Sequence, residues 1–232
     1  MDTKTLKKSG FTLLELLIVI AIIAVLSVIL ILVLDPAEAL KKARDSQRMS
    51  DLATVKTALG LYSTSTTTPM MGGAATNATC KGNASADTSY VAGDKIFYSI
   101  DSGAKTLTNG TTLDGAAAAL VTPGQVTAAN SGKVDGTGWL PVNLTTMAGG
   151  SPISNMPTDP INTVTTASAP TSTDLVYRYV CSEKTLRYEI DAVLESTAFK
   201  TDDPKMTKDG GNNSAYYEVG TDLSLLGAGT DF

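Results

Sequence analysis

A single glutamate stands near the start of the most apolar stretch of this chain. Glu15 precedes the run Leu16–Leu34, 19 residues of which only Ser27 is not apolar. An isolated carboxylate in lipid is costly at the bilayer centre and less so near the interface. The sequence therefore predicts a compensating interaction for this charge. The alternative is a plain membrane anchor in which Glu15 reaches the headgroups.

Small residues before Phe11 suggest how a compensating charge arises. Cleavage after Gly10 would remove the three lysines that precede it and free an α-amino group on Phe11, four residues from Glu15. The pair could form within one chain. Helices packed side by side with a stagger would instead let Glu15 of an incoming subunit neutralise Phe11 of the subunit already in place. Such a pair favours one stagger, because only there are both charges paired.

The apolar run is long enough to cross a membrane. The 24 residues from Phe11 to Leu34 would span about 36 Å as a helix, against a hydrocarbon core of about 30 Å. A secretory signal peptide is the alternative, but its apolar core is shorter and a small-residue cleavage site follows it. No such site follows Leu34. The lysines before the run predict a cytoplasmic N-terminus and export of the residues after Asp35, although basic residues after Pro36 weaken this prediction.

Residues 7–15, KKSGFTLLE, resemble the class III leader junction of bacterial type IV pilins and type II secretion pseudopilins. The resemblance is specific through Leu34 and extends to Tyr62, with Pro36 at the helix break that many pilin filaments show. Beyond Tyr62 it is looser and consists of short motifs, Gly138–Pro141, Met156–Pro160 and a strand pair after Asp174. It implies a filament subunit that is stored in the cytoplasmic membrane with its N-terminus inside and becomes part of an extracellular pilus.

The resemblance also assigns roles to three residues. A prepilin peptidase is implied to cut after Gly10, Phe11 is implied to be N-methylated, and Glu15 matches the glutamate that acts in assembly. The implied partners are identical subunits in a helical filament, the peptidase, the inner-membrane assembly machinery and, before assembly, the lipid bilayer. A head longer than that of the compact secretion pseudopilins favours the major subunit of a pilus. A secretion pseudopilin and a minor pilin with a ligand-binding tip head are the alternatives.

A second helix is expected after the membrane segment. Asp35, Pro36 and Glu38 supply an N-cap acid, a proline at the first helical position and a glutamate at the third. Pro36 interrupts the preceding helix, so we expect a bend there. Within the amphipathic stretch 35–62, one apolar stripe is able to pack on a domain: Leu52, Val55, Leu59 and Tyr62. The half of the helix before this stripe has little to bury.

The following residues, 63–232, predict an antiparallel β-sheet head with long loops. Leu186–Ala192 alternates apolar and charged residues, which is typical of a half-buried strand. Gly132–Ala169 contains four prolines and is typical of a long loop. Further strands are expected at Lys95–Ile100, Asp174–Cys181 and Tyr216–Val219. The predicted fold class is α+β, with a cleaved leader 1–10, a transmembrane and assembly helix 11–34, an amphipathic helix 35–62 and the head.

Composition argues against several functions. Residues 63–232 carry 10 lysines and arginines against 17 acids, a formal charge of −7, and such a field repels phosphate backbones, so nucleic acid is not expected as a general ligand. The chain has no histidine, which removes the usual general base. We expect no enzyme. The competing class is an anchored glycoside hydrolase with a carboxylate pair drawn from Asp159, Asp174, Glu189 and Asp191.

The two cysteines, Cys80 and Cys181, both lie in the part predicted to be exported. In an oxidising compartment they are expected to form a disulfide. Such a bond closes a loop of roughly 100 residues and contributes up to about 4.7 kcal/mol by the chain-entropy account. Two buried, unpaired thiols are the alternative.

Oxygen-bearing side chains are frequent near the end of the sequence. Some secretion pseudopilins bind calcium in a C-terminal loop, and the resemblance raises the same role for Asp202, Asp203, Asp209, Asn212 and Asn213. Their spacing matches no EF-hand loop, and a solvated acidic loop is the alternative. No other cofactor is expected.

Overall fold

The computed structural model describes residues 10–73, 77–82, 90, 93–107, 122–165, 170–183 and 185–227. Residues 1–9 of the expected leader therefore lie outside the described part. The chain divides into one unit that ends at Leu40 and a second that begins at Lys41. The architecture is α+β, as predicted, with helices α1 (Leu13–Leu34) and α2 (Pro36–Ser65) followed by a five-stranded, mostly antiparallel sheet.

One residue separates the two helices. Asp35 has φ 34° and ψ 74°, in the left-handed region, which aspartate tolerates because its short side chain can hydrogen-bond locally. Its Oδ1 atom accepts a hydrogen bond from the backbone N–H of Glu38 at 3.2 Å. Pro36 occupies the first position of α2, where no backbone donor is needed. The helix start predicted from these residues is therefore confirmed.

The apolar stripe of α2 enters the main core of the second unit. Its four side chains are at most 3% exposed: Leu52, Val55, Leu59 and Tyr62. They share a buried cluster with Trp139, Tyr177, Tyr179, Tyr188 and Ile190. Burial of a side chain of this size contributes about 1.5 to 3 kcal/mol. The stripe therefore anchors the second half of α2 to the sheet, as its spacing predicts.

The sheet has the strand order β2-β1-β3-β4-β5. Its strands are β1 (Lys95–Tyr98), β2 (Thr122–Gly124), β3 (Arg178–Cys181), β4 (Tyr188–Ala192) and β5 (Tyr217–Gly220). β2 runs parallel to β1, and the other neighbouring pairs are antiparallel. β1, β3 and β4 lie within predicted strands, and β5 extends one residue beyond its predicted segment. β2 was not predicted, because it has only three residues and contains Pro123, which an edge strand tolerates.

The outer face of the sheet is covered, which corrects the prediction of a half-buried strand at Leu186–Ala192. All five residues of β4 are buried, including Glu189 and Asp191. A second apolar cluster covers this face and contains Ile96, Tyr98, Val180, Tyr216, Leu225 and Leu226. Alternation in sequence shows which residues share a face of a strand but not what packs on that face.

Cys80 and Cys181 form a disulfide that joins the loop after α2 to the end of β3. Both side chains are fully buried. Beside the bond, the backbone N–H of Lys81 donates to the carbonyl of Cys181 at 2.8 Å, and the N–H of Glu183 donates to the carbonyl of Lys81 at 3.1 Å. Backbone hydrogen bonds therefore reinforce the covalent link.

The long segment predicted as loop has little regular structure over its described residues. It forms a 3-10 turn at Leu144–Thr146 and an isolated bridge between Asp135 and Asn143. Trp139 is fully buried, and its indole N–H donates to the carbonyl of Pro157 at 2.9 Å. Because the indole N–H has a hydrogen-bond acceptor, its burial leaves no donor unsatisfied. The loop therefore contributes the aromatic ring of Trp139 to the core.

Candidate functional site

The three described residues before α1, Gly10 to Thr12, are exposed. Phe11 is 81% exposed, and among the described residues a Cβ atom at Gly10 would meet nothing within 4 Å beyond its chain neighbours. Thr12, the N-cap of α1, has φ −81° and ψ 149°. The peptide bond between Gly10 and Phe11 therefore lies outside the helix, where an enzyme that binds extended chain can reach it.

Glu15 closes the N-terminus of its own helix. The backbone N–H of Glu15 donates to Thr12 Oγ1 at 3.2 Å, and the N–H and hydroxyl of Thr12 donate to Glu15 Oε2 at 2.8 Å and 2.7 Å. This reciprocal arrangement is a capping box, and it also places the carboxylate at the positive end of the helix dipole. Sequence reasoning missed this role, although the Thr-x-x-Glu spacing is its signal.

α1 exposes an apolar surface along its length. Its described large hydrophobic side chains are between 45% and 81% exposed. The hydroxyl of Ser27 donates to the carbonyl of Ile23 at 2.7 Å, so this polar group is satisfied within the helix. Among the described residues, one helical stretch is long and apolar enough to cross a membrane, and it starts at Leu13. An exposed apolar surface of this size indicates contact with lipid or protein.

In the second unit, a buried ion network joins α2 to distant loops. Arg48 donates from Nε and Nη2 to Asp159 at 2.6 Å and 2.9 Å, and from Nη1 to Asp45 at 2.8 Å and Glu195 at 2.6 Å. The side chains of Arg48, Asp45 and Asp159 are 0% exposed. Asp45 also accepts the backbone N–H groups of Glu195 and Ser196. The buried charges thus have the paired partners that buried ions require.

This network corrects the expectation that the first half of α2 has little to bury. Arg44 donates to both carboxylate oxygens of Glu195, at 2.8 Å and 2.7 Å, and this contact lowers the pKa of Glu195. Burial acts to lower the pKa of Arg48, but the hydrogen bonds and charge of Asp159 outweigh it and raise that pKa. Sequence reasoning missed the network because polar residues at helical spacing are typical of an exposed face.

Four of the five residues considered for calcium, all except Asp202, make ion pairs or hydrogen bonds within the loops. Lys205 and Lys208 pair with Asp203 and lower its pKa to about 2. Asp209 accepts the backbone N–H groups of Gly211 and Glu218. Asn212 and Asn213 donate to backbone carbonyls, and Asp202 is exposed. In the described part of the chain, no group of three or more Asp, Glu, Cys or His side chains is placed to hold a metal ion. Calcium binding stays a prediction.

The carboxyls considered for glycoside hydrolysis are at most 3% exposed: Asp159, Asp174, Glu189 and Asp191. Asp191 pairs with Arg178 at 2.8 Å, and Asp174 accepts the backbone N–H groups of Thr165 and Thr171. An open polar cleft of about 490 Å³ lies elsewhere in the second unit, and its lining includes Gln47, Asp51, Lys133 and Asn155. The four carboxyls are therefore buried within the fold, and none of them lines this cleft.

Comparison with protein families identifies the prokaryotic N-terminal methylation motif at residues 5–31. This motif is the class III leader of type IV pilins and pseudopilins, so the resemblance recognised in residues 7–15 is confirmed. The match includes Gly10, Phe11, Glu15 and most of α1. Comparisons with curated proteins and with solved structures found no match.

Proposed function

We propose that this chain is a structural subunit of a type IV pilus, assembled through α1 after cleavage of its leader. The observation that carries the proposal is the coincidence of the methylation motif at residues 5–31 with a helix whose apolar side chains are exposed. Lipid covers this surface before assembly, and equivalent helices of neighbouring subunits cover it afterwards. The same helix therefore serves in both environments.

Processing prepares α1 for assembly. A prepilin peptidase cuts between Gly10 and Phe11, and Phe11 is N-methylated. The cut removes the lysines of the leader and leaves a cationic amino group just before the helix. The exposure of Gly10 and Phe11, outside the helix, supports the proposal, because a protease requires access to the chain that it cuts.

Assembly then depends on pairing this amino group with Glu15 of a neighbouring subunit. Within the single chain, the two contacts that Thr12 makes with Glu15 both use Oε2. A carboxylate can accept about four hydrogen bonds, so the capping box leaves acceptor capacity for a neighbour's ammonium. Charge pairing in an apolar environment favours the one stagger between helices in which both groups are satisfied.

The second unit supplies the head of the subunit. Its buried core, its disulfide and its paired internal charges suit a protein that persists outside the cell. Its acidic composition disfavours nucleic acid as a general ligand. In this proposal the chain has no enzymatic role, and its partners are identical subunits, the peptidase and the assembly machinery of the inner membrane.

The experiment is to shear surface fibres from cells and determine the composition of the fibres and the N-terminus of the subunit by mass spectrometry. We expect this chain as the main fibre component, without residues 1–10 and with a methylated Phe11. An intact leader on fibre subunits would contradict the proposal. Processed chain confined to the cell envelope favours a secretion pseudopilin, and trace amounts in fibres favour a minor pilin.

Gly10→Val is the matched variant. A Cβ atom at this position would have no described atom within 4 Å beyond its chain neighbours, so the variant should insert and fold as the wild type does. It should nevertheless accumulate uncut in the membrane, because the residue before the scissile bond has changed. Normal processing of Gly10→Val would place the cleavage site elsewhere.

A further inference from the structure

Three carboxyl side chains lie together on the outer face of β4 and β5. Asp191 stands directly opposite Glu218 in the strand register, and Glu189 lies two residues before Asp191 on the same face, opposite Gly220. All three carboxyl residues are at most 2% exposed. Like charges directly opposite each other destabilise a sheet, and an unpaired buried charge is costlier still. The group therefore has a strong tendency to retain protons.

Arg178 offsets one of these acids. Its Nε atom donates to Asp191 at 2.8 Å, and its guanidinium lies 3.5 Å from the centre of the Tyr216 ring. Burial raises the pKa of Asp191 to about 6 even with this partner. The remaining two acids of the group, Glu189 and Glu218, are neighbours on β4 and β5.

The two glutamates lie on the same face of neighbouring strands, diagonal to each other in the register. Burial and the hydrogen bond with Glu218 raise the pKa of Glu189 to about 10, and burial also raises the pKa of Glu218. Each carboxyl has a buried Oε1 atom that no donor within the described residues contacts. Two ionised carboxylates can only accept hydrogen bonds, whereas a proton on Glu189 supplies the missing donor. The strand register, the burial and the raised pKa of Glu189 therefore all indicate that the two glutamates share one proton at neutral pH.

This pair supports a segment that covers the sheet. We call residues 221–227 the strap. The backbone N–H of Leu226 donates to Glu189 Oε2 at 2.8 Å. The backbone N–H of Asn213 donates to Glu218 Oε2 at 3.0 Å, and its side-chain amide donates to the carbonyl of Gly227 at 2.9 Å. Glu189 is therefore hydrogen-bonded to the strap directly, and Glu218 is connected to it through Asn213.

Other charged and titratable groups surround the pair. They are Asp191 on β4, Arg178 on β3, Tyr98 on β1, Asp209 and Tyr216 before β5, and Lys81, whose Nζ donates to the carbonyl of Leu225 at 2.7 Å. Burial raises the pKa values of Tyr98 and Tyr216, so these phenols stay neutral while the glutamates titrate. Asp191 is already ionised above about pH 6. Compared with Asp191, Tyr98 and Tyr216, the glutamate pair is therefore the group whose charge changes between neutral and moderately alkaline pH.

We propose that Glu189 and Glu218 form a proton-dependent latch that holds the strap over the sheet and releases it when the shared proton is lost. A group whose pKa is raised in the folded state contributes stability below its unfolded pKa and loses it as pH rises through the folded value. The latch is therefore closed at acidic and neutral pH and opens toward pH 10. The main core on the other face contains neither glutamate and stays folded.

The test is amide hydrogen exchange of the strap in the full chain in detergent micelles, from pH 6 to pH 10. Rates are corrected for intrinsic exchange and compared with those of residues 52–62 in the core. In the wild type, protection of the strap should fall with pH by up to about tenfold per pH unit, the slope for release of one proton. Protection of residues 52–62 should stay constant.

Glu189→Gln should remove this pH dependence. Its amide oxygen can still accept from Leu226, and its amide nitrogen replaces the protonated carboxyl as the donor to Glu218, without a proton to lose. Glu183→Gln, in the turn after β3, should behave as the wild type. Constant protection in the wild type, or an unchanged slope in Glu189→Gln, would overturn the latch. Recovery of alkaline protection with calcium chloride and its loss with a chelator would do so as well, because the pair would then bind a metal cation.

Discussion

Glu15 has an intramolecular contact and a proposed intermolecular one. In the single chain its carboxylate caps α1 through Thr12, which explains how a charge is tolerated at the start of an apolar helix. The capping role alone does not require a charge, because glutamine also forms a capping box. The proposed pairing with a neighbour's Phe11 does require it. Substitutions at this position can therefore separate the two roles.

Glu15→Val should leave membrane insertion intact, because an isolated charge has been removed from an apolar helix. It should reduce assembled fibre to less than about a tenth of the wild-type yield, since each neighbouring ammonium loses its partner. The measurement is the ratio of sheared fibre to membrane-bound protein in cells that make only the variant. Leader cleavage should continue, because Gly10 and Phe11 are unchanged.

Two further variants complete this comparison. Glu15→Gln keeps the cap and loses the charge, so it should assemble as poorly as Glu15→Val. Thr12→Ala loses the cap and keeps the charge, so it should assemble much better. A normal fibre yield from Glu15→Gln would show that capping is the main role of this residue, and the proposed charge pair would be wrong.

Arg48 is the residue on which the packing of the first half of α2 depends. Arg48→Met should lower the free energy of unfolding by about 3 to 5 kcal/mol, because it leaves the buried carboxylates of Asp45 and Asp159 without their cation. The measurement is denaturant unfolding of the full chain in detergent micelles, followed by the near-ultraviolet circular dichroism of the buried aromatic rings.

Arg187→Met is the control for this substitution. Arg187 pairs with Asp222, but its side chain is 39% exposed, and ion pairs at the surface contribute about 1 kcal/mol or less. The control should therefore unfold close to the wild type. An equally small effect of Arg48→Met would mean that water reaches the network and screens it.

At the scale of the elements, the disulfide connects two segments that are far apart in sequence. Cys80 and Cys181 are separated by 101 residues, and much of the described chain between them is loop. The double variant Cys80→Ser/Cys181→Ser should lose up to about 4.7 kcal/mol of stability by the chain-entropy account. Peptide mapping without reductant should recover the two cysteines as one linked pair. Free thiols in protein collected outside the cell would contradict this prediction.

At the scale of the whole molecule, the chain consists of two units with different needs. The first exposes apolar side chains that require lipid or protein contacts, whereas the second has its own buried core. A chain that begins at Lys41 retains the ion network, the stripe on α2 and the disulfide. It should therefore be a soluble monomer by size-exclusion chromatography and should unfold in one cooperative transition.

A shorter chain that begins at Thr54 is the matched control. It lacks Arg48 and Leu52, which leaves Asp159 and part of the core without partners, so it should not fold cooperatively. Folding of this shorter chain would show that the sheet and its loops are sufficient on their own. Aggregation of the chain that begins at Lys41 would show that the second unit needs the first.

Features that depend on neighbours along the chain could be predicted from the amino-acid sequence. The leader junction, the membrane-length helix and the start of α2 at Asp35-Pro36 follow from local residue types. The stripe from Leu52 to Tyr62 and four of the strands follow from periodicity, because a core-facing side recurs at helical or strand spacing. The cysteine pair was predicted from the compartment. Cleavage, N-methylation and the role of Glu15 in assembly remain predictions.

The burial of polar residues could not be predicted in this way, because it depends on tertiary contacts. Arg48 donates hydrogen bonds to Asp159, which is 111 positions away in the sequence, and to Glu195, which is 147 positions away. Leu226 donates to Glu189, 37 positions away. In sequence these residues have the alternation or spacing of solvated faces. Their burial depends on which distant segment packs over each face. Local periodicity contains no information about that segment, because burial is set by contacts between parts of the chain that only the folded molecule brings together.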